Sequence, residues 1–195
     1  LVDNLSEDDT TGVAIRTAEA LGLGHRLRTL AYPFSVSRCG PEHLDTPADS
    51  VHSLTYFYEW CFSHVRTSYS LKWDGDMVLS RDGEAALAAM AWQLPGQQAV
   101  LRIPRHALYV ADDRLAWLDL GLKNVEPYGY PMEPAYRHAK AIEWELRLHP
   151  DEARLPRMRE GASIEVKWLD SDEFAHWTSP EAFADSPRTA RKRRE

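Results

Sequence analysis

At 195 residues, with 44% hydrophobic and 27% charged residues, the chain has apolar material for one ordinary folded body and too much of it for a disordered segment. Its formal charge of −7 excludes a general nucleic-acid binder, whose footprint is basic. Cys39 and Cys61 lack the spacing of a disulfide framework, and no apolar run reaches the roughly 18 residues that span a bilayer, so a reduced, cytoplasmic setting is expected.

Leu1-Val2 reads as the end of a strand already under way, followed by the polar turn Asp3-Asn4-Leu5-Ser6-Glu7-Asp8-Asp9-Thr10. Asp8, Asp9 or Thr10 then caps a helix from about Gly12 to Leu21, ended by Gly22 and Gly24. His25 to Leu30 alternates weakly, as a short strand does. Tyr32 to Ser50, with three prolines, reads as a long loop. Val51, Leu54, Tyr58, Cys61 and Val65 fall at spacings of three and four, which predicts a helix over Val51 to Val65. Its dense aromatic group, Tyr56 to Phe62, is read first as core.

Ser68 to Trp73 reads as a strand and Asp82 to Trp92 as an alanine-rich helix. Gln98 to Ile103 and Ala107 to Ala111 read as strands around Pro104, with Leu115 to Leu120 as a partner across Asp112-Asp113-Arg114. Pro134 to Leu148 is predicted helical, Ser163 to Leu169 a late strand, and Arg188 to Glu195 a charged, disordered tail. The alternation of strands and helices up to Trp92 predicts a parallel α/β sheet, with antiparallel additions from the second half.

Chemistry concentrates at Leu71-Lys72-Trp73-Asp74-Gly75-Asp76-Met77-Val78. An apolar strand that delivers two carboxylates to its carboxyl edge offers hard oxygen ligands suited to Mg²⁺ or Mn²⁺ held against phosphate oxygens. Asp-Gly is also ordinary turn chemistry, so the pair by itself is equally a turn. Likewise, Asp3-Asn4-x-Ser6-x-Asp8-x-Thr10 alone is a polar loop with a good helix cap.

Together the two segments resemble the family 2 glycosyltransferases of GT-A fold, over Leu1 to about Ala91. In that family a strand ending in a Val-Asp-Asn-x-Ser-x-Asp-x-Thr pattern is followed by a later strand ending in Asp-x-Asp. The resemblance implies a GT-A-like mixed sheet flanked by helices, spanning residues 1–180 with a charged tail over 181–195. It also implies an earlier strand and loop, which are expected ahead of Leu1. It implies that Asp3 contacts the base or ribose of a nucleotide-sugar. Asp76 would bind the cation that bridges the two phosphates, while Asp74 contacts ribose or assists the metal. The family often carries an Arg-Asn pair ahead of the Asp-x-Asp strand. Ser37-Arg38-Cys39 supplies only the arginine, and Arg38 becomes a candidate phosphate contact.

The implied activity is transfer of a sugar, with inversion, from a nucleotide-diphosphate donor to a sugar, lipid-linked or polymer acceptor. Such a displacement requires a carboxylate to take the acceptor proton. Glu143 and Glu145 flank Trp144 on the predicted helix, and Glu145 is the candidate because an aromatic neighbour stacks on a sugar face. A solvated helix face explains both acids equally well.

Two other readings use the same carboxylates: a metal-dependent phosphatase or nucleotidyltransferase, and a non-catalytic domain that keeps the fold. No zinc-binding H-E-x-x-H, no G-x-S-x-G elbow and no G-x-x-x-x-G-K-[ST] loop is present. The basic tail from Arg188 to Arg194 is expected to add a weak attraction to the inner face of a membrane.

Overall fold

A computed structural model of the protein describes residues 1–141 and 143–168. The expected charged tail lies outside them. The chain clusters into two compact units, Leu1–His64 with Lys140–Glu145, and Val65–Ala139 with Leu146 onward.

The first unit contains β1 (Val2–Asp3), α1 (Thr10–Ala20), a 3-10 turn (Gly24–Arg26), β2 (Leu30–Ala31), α2 (Pro41–Asp45) and α3 (Leu54–Ser63). β1 and β2 pair in parallel, Val2 beside Leu30 and Asp3 beside Ala31. Asp8 Oδ1 accepts from the backbone N–H of Thr10 at 3.0 Å, tying down the turn that opens α1. Gly22, at φ +70°, supplies the left-handed residue that follows the helix.

The short strand expected at His25 is instead the 3-10 turn. Leu27 N–H donates to Gly24 C=O at 3.1 Å, which closes the chain before it can extend. α2 interrupts the expected loop, with Pro41 in its first turn, where a missing N–H costs nothing. In α3, the Ser53 side chain caps the helix by accepting from Tyr56 N–H. Tyr32, almost fully buried, sits edge-on to Phe57 and Trp60 of this helix with ring centroids 5.0 and 4.9 Å away. The dense aromatic stretch of α3 therefore supplies packing around Tyr32.

The second unit carries β3 (Tyr69–Leu71), β4 (Met77–Leu79), α4 (Arg81–Ala91), β5 (Leu101–Val110), β6 (Ala116–Pro131) and β9 (Ser163–Trp168). The short strands β7 (His138–Lys140) and β8 (Glu145–Arg147) pair with one another in a separate sheet. The main sheet is curled and mixed, in the order β3-β6-β5-β9-β4, with only β5 and β9 parallel. Its core comprises Met77, Leu94, Leu101, Ile103, Tyr128 and Met158, with Leu87 and Met90 of α4 packed against it. α4 approaches so closely that a Cβ on Gly83 would meet Ala162 O at 2.0 Å. Among the described residues no helix is long and apolar enough to cross a membrane.

The class is therefore mixed α/β with few helices, and three further expectations are corrected. The parallel sheet foreseen up to Trp92 stops at two strands: β1 and β2 pair in parallel in a sheet of their own, and β3 joins β6 antiparallel. The three-residue β3 takes the edge that the long strand β6 offers, in the antiparallel pairing that is slightly the more stable per residue.

The helix predicted over Pro134 to Leu148 is replaced by β7 and β8, joined by a turn in which Ala141 N–H donates to Trp144 C=O at 2.8 Å. Tertiary contacts override the local pattern here. The Arg147 guanidinium lies 4.6 Å from the Tyr130 ring centroid and 3.1 Å from His138 Nδ1, contacts a lone helix cannot offer. Pro104 does not divide two strands either. β5 is continuous, and its register shift after Arg105 absorbs the irregularity.

Candidate metal site

β3 carries the chain directly into Asp74-Gly75-Asp76. Lys72 N–H donates to Tyr128 C=O at 2.8 Å, extending the ladder by one residue. The turn is then fastened from both sides. Trp73 Nε1 donates to Met77 C=O at 3.0 Å, and Val166 N–H of β9 donates to Asp76 C=O at 2.7 Å. The two carboxylates thus stand on a fixed backbone, a requirement for any precise ligand geometry.

Around them lies a group of charges. Lys72 Nζ pairs with Asp74 Oδ1 at 2.5 Å. Arg105, only 8% exposed, pairs with Glu126 at 3.0 Å and Glu165 at 3.3 Å, and also donates to the Tyr128 hydroxyl. Lys167 Nζ stands 3.4 Å from the same Glu165 oxygen. Among the described residues this group therefore holds Lys72, Arg105 and Lys167 against Asp74, Asp76, Glu126 and Glu165, three cations for four carboxylates.

The shortfall is felt at Asp76. Although its side chain reaches solvent, the protein packed around it, together with the charges of Glu165 and Asp74, pushes its carboxyl above the usual aspartate value; Arg105 offsets this in part. Burial pulls the Arg105 guanidinium down, but Glu126, Glu165 and Tyr128 outweigh that pull and hold it charged.

Asp3 ends β1 in the first unit, where its C=O accepts from Tyr32 N–H at 2.8 Å. Its Oδ1 is buried and has no hydrogen-bond partner among the described residues. Asn4 beside it is committed to structure, donating to Tyr32 C=O at 3.2 Å and Phe34 C=O at 2.7 Å. Arg38 is exposed, and its backbone N–H donates to Glu42 at 3.2 Å.

Glu145 opens β8, not a helix, and its carboxylate stands 3.9 Å from Cys39 Sγ. Glu143 is fully buried, so the helix face expected to carry both acids is replaced by a hairpin turn that encloses one of them. Asp74 and Asp76 belong to the second unit, whereas Asp3, Arg38 and Glu145 belong to the first. The two motif-bearing strands, β1 and β3, lie in different sheets.

Arg105, Glu126, Glu165 and Lys167 had no place in the sequence reading. Their signal was available: Arg105, like Arg102, is a cation set in the largely apolar run Leu101 to Val110, and Glu165 and Lys167 share one face of a strand by the two-residue period. Among the described residues, no group of three or more His, Cys, Asp or Glu side chains is arranged to hold a metal unaided. Mg²⁺ commonly takes one or two carboxylates and completes its shell with substrate phosphates and water, so two aspartates suit a cation that arrives with its substrate. No family model matches the sequence, and no curated protein shows significant similarity to it.

Proposed function

We propose that this chain binds a nucleotide-diphosphate sugar with Mg²⁺ or Mn²⁺ and transfers the sugar, on a GT-A-like fold, as the resemblance of its two acidic segments implies. The observation that carries the reading is Asp76 itself, a solvent-reaching carboxylate on a pinned turn, crowded by the charges of Glu165 and Asp74. A cation there relieves repulsion that the protein otherwise bears. Asp76 is the principal ligand. Asp74, tethered to Lys72, is held in one orientation beside it and shares the metal or meets the ribose.

Asp3 supplies the second support. A buried carboxylate oxygen without a donor is unusual in a folded protein, and a ribose hydroxyl or a base N–H satisfies it. A bound cation contributes neutralisation of the charge that grows on the departing diphosphate. By the resemblance, Asp3 and Arg38 are the first unit's candidates for orienting a donor, and Glu145 is its candidate for taking the acceptor proton.

The test is calorimetry of UDP, GDP and dTDP with and without Mn²⁺. Mn²⁺-dependent nucleotide binding is expected in the natural sequence and lost in Asp76→Asn. Equal binding in both proteins sinks the proposal.

A further inference from the structure

The two faces of the main sheet differ in what covers them. Met77, Ala107 and Glu165 share the inner face, where Met77 joins the core and α4 packs. On the other face the registered partners are apolar almost throughout. Leu108 stands beside Leu118 and Val166, Val110 beside Ala116 and Trp168, and Ile164 beside Val78 and His106. By the two-residue period these three rows point the same way. Val78 is 55% exposed, Leu118 45% and Trp168 54%, so this face is open among the described residues.

An apolar sheet face is stable in water when another layer covers it. The chain's own continuation starts at this face. β9 ends at Trp168, in the row of Val110 and Ala116, and the sequence goes on through residues 169–195. Leu169, Phe174, Trp177 and Phe183 are spaced along its first part. Crossing from β4 to β6 takes three strand spacings, about 14 Å, and an extended chain covers about 3.3 Å per residue. The stretch 169–183 is therefore long enough to cross and return.

We propose that this outer face is the docking surface for the chain's own residues 169–183, with Phe174 and Trp177 seated over Leu118 and Val166. Tethering selects that occupant. A segment joined to the face at Trp168 meets it at an effective concentration of about millimolar, far above that of a separate copy. Asp112 and Asp113, exposed in the β5–β6 turn just beyond Val110, outnumber Arg114 there and repel an anionic bilayer. The cations from Arg188 to Arg194 follow the apolar residues and offer those acids a counter-charge. No metal or nucleotide takes part, so the docking holds or fails apart from sugar transfer.

The test is methyl NMR on the full chain. Cross-relaxation from the Leu118 and Val166 methyl groups to aromatic protons of Phe174 or Trp177 is expected. The double variant Phe174→Asp, Trp177→Asp is expected to lose it and to keep the circular dichroism of the parent. It is also expected to bind the apolar dye anilinonaphthalene sulfonate severalfold more strongly, because the face is then uncovered.

No cross-relaxation between these methyl groups and residues 169–183 in the folded parent overturns the inference. So does dye binding as strong in the parent as in the double variant. Contact seen only between differently labelled copies, with dimers in light scattering, overturns it in favour of a second copy. Sedimentation of the parent with phosphatidylglycerol vesicles, abolished by Leu118→Asp, overturns it in favour of a membrane.

Discussion

His43 in the first unit and Asp76 in the second are both pushed toward their neutral forms, yet acid acts on them in opposite directions. His43 is fully buried, and burial, reinforced by Lys140, holds its imidazole below the ordinary 6.5. Asp76 is held above the ordinary 3.8 by the protein around it and by Glu165 and Asp74. Acidification must charge a buried ring in one case and discharges a crowded carboxylate in the other. The first group belongs to packing, and its environment is closed. The second stands on a pinned turn that reaches solvent, where a cation has access to it. A perturbed group marks a functional site only when a ligand can reach it.

The comparison breaks most sharply at Arg105. Replacing it with alanine leaves Glu165 and Glu126 without their buried partner, and the second unit is expected to lose about 3–5 kcal/mol in urea denaturation. Gly83→Ala comes next, because its Cβ must displace backbone at Ala162; a loss of about 1–3 kcal/mol is expected in the same measurement.

Asp76→Asn should act in the opposite sense. Since the folded state holds this proton more tightly than the unfolded one, the ionised group penalises the fold above its raised folded value. The penalty disappears as pH falls through that value toward 3.8. The asparagine variant should therefore be the more stable protein without cation at neutral pH, by less than ~1 kcal/mol because the site is solvent-screened, and should melt at a higher temperature. It should also lose all stabilisation by Mn²⁺. A lower melting temperature in the cation-free variant would remove the repulsion on which the site rests.

His43 sharpens the other side. Its folded value lies below the unfolded one, so its contribution is complete above 6.5 and is lost as pH falls below it toward the folded value. Protection of α2 amides in hydrogen exchange should decline over that window, and His43→Phe should flatten the decline. The smallest expected effect on stability is that of Asp3→Ala. Its Oδ1 makes no hydrogen bond among the described residues, so a change within about 1 kcal/mol is expected, against a loss of nucleotide binding of about tenfold or more. A large stability loss with nucleotide binding intact would make Asp3 structural.

Local signals carried much of the fold. The three-and-four spacing from Val51 to Val65 and the alanine-rich run from Asp82 located α3 and α4, and the Asp112-Asp113-Arg114 turn joins β5 to β6. Those features depend on neighbours in sequence, and a one-dimensional reading finds them. The Pro134 to Leu148 segment defeated that reading because its helix-like spacing competes with Arg147, Tyr130 and His138, which meet only across strands. The parallel sheet failed for a related reason: pairing is chosen by which edge is free, and the free edge belonged to a strand some sixty residues further on.

The sequence by itself determined that two aspartates stand one glycine apart after a short apolar strand, and that the chain carries an excess of negative charge. Only the tertiary structure decided what surrounds them. It brings Arg105 and Glu165 from strands far along the chain beneath the Asp-Gly-Asp turn, and it binds that turn to β9 through Val166. It also separates β1 from β3 into different sheets. Charge–charge energies depend on distance through space, and no spacing along a chain reports that distance.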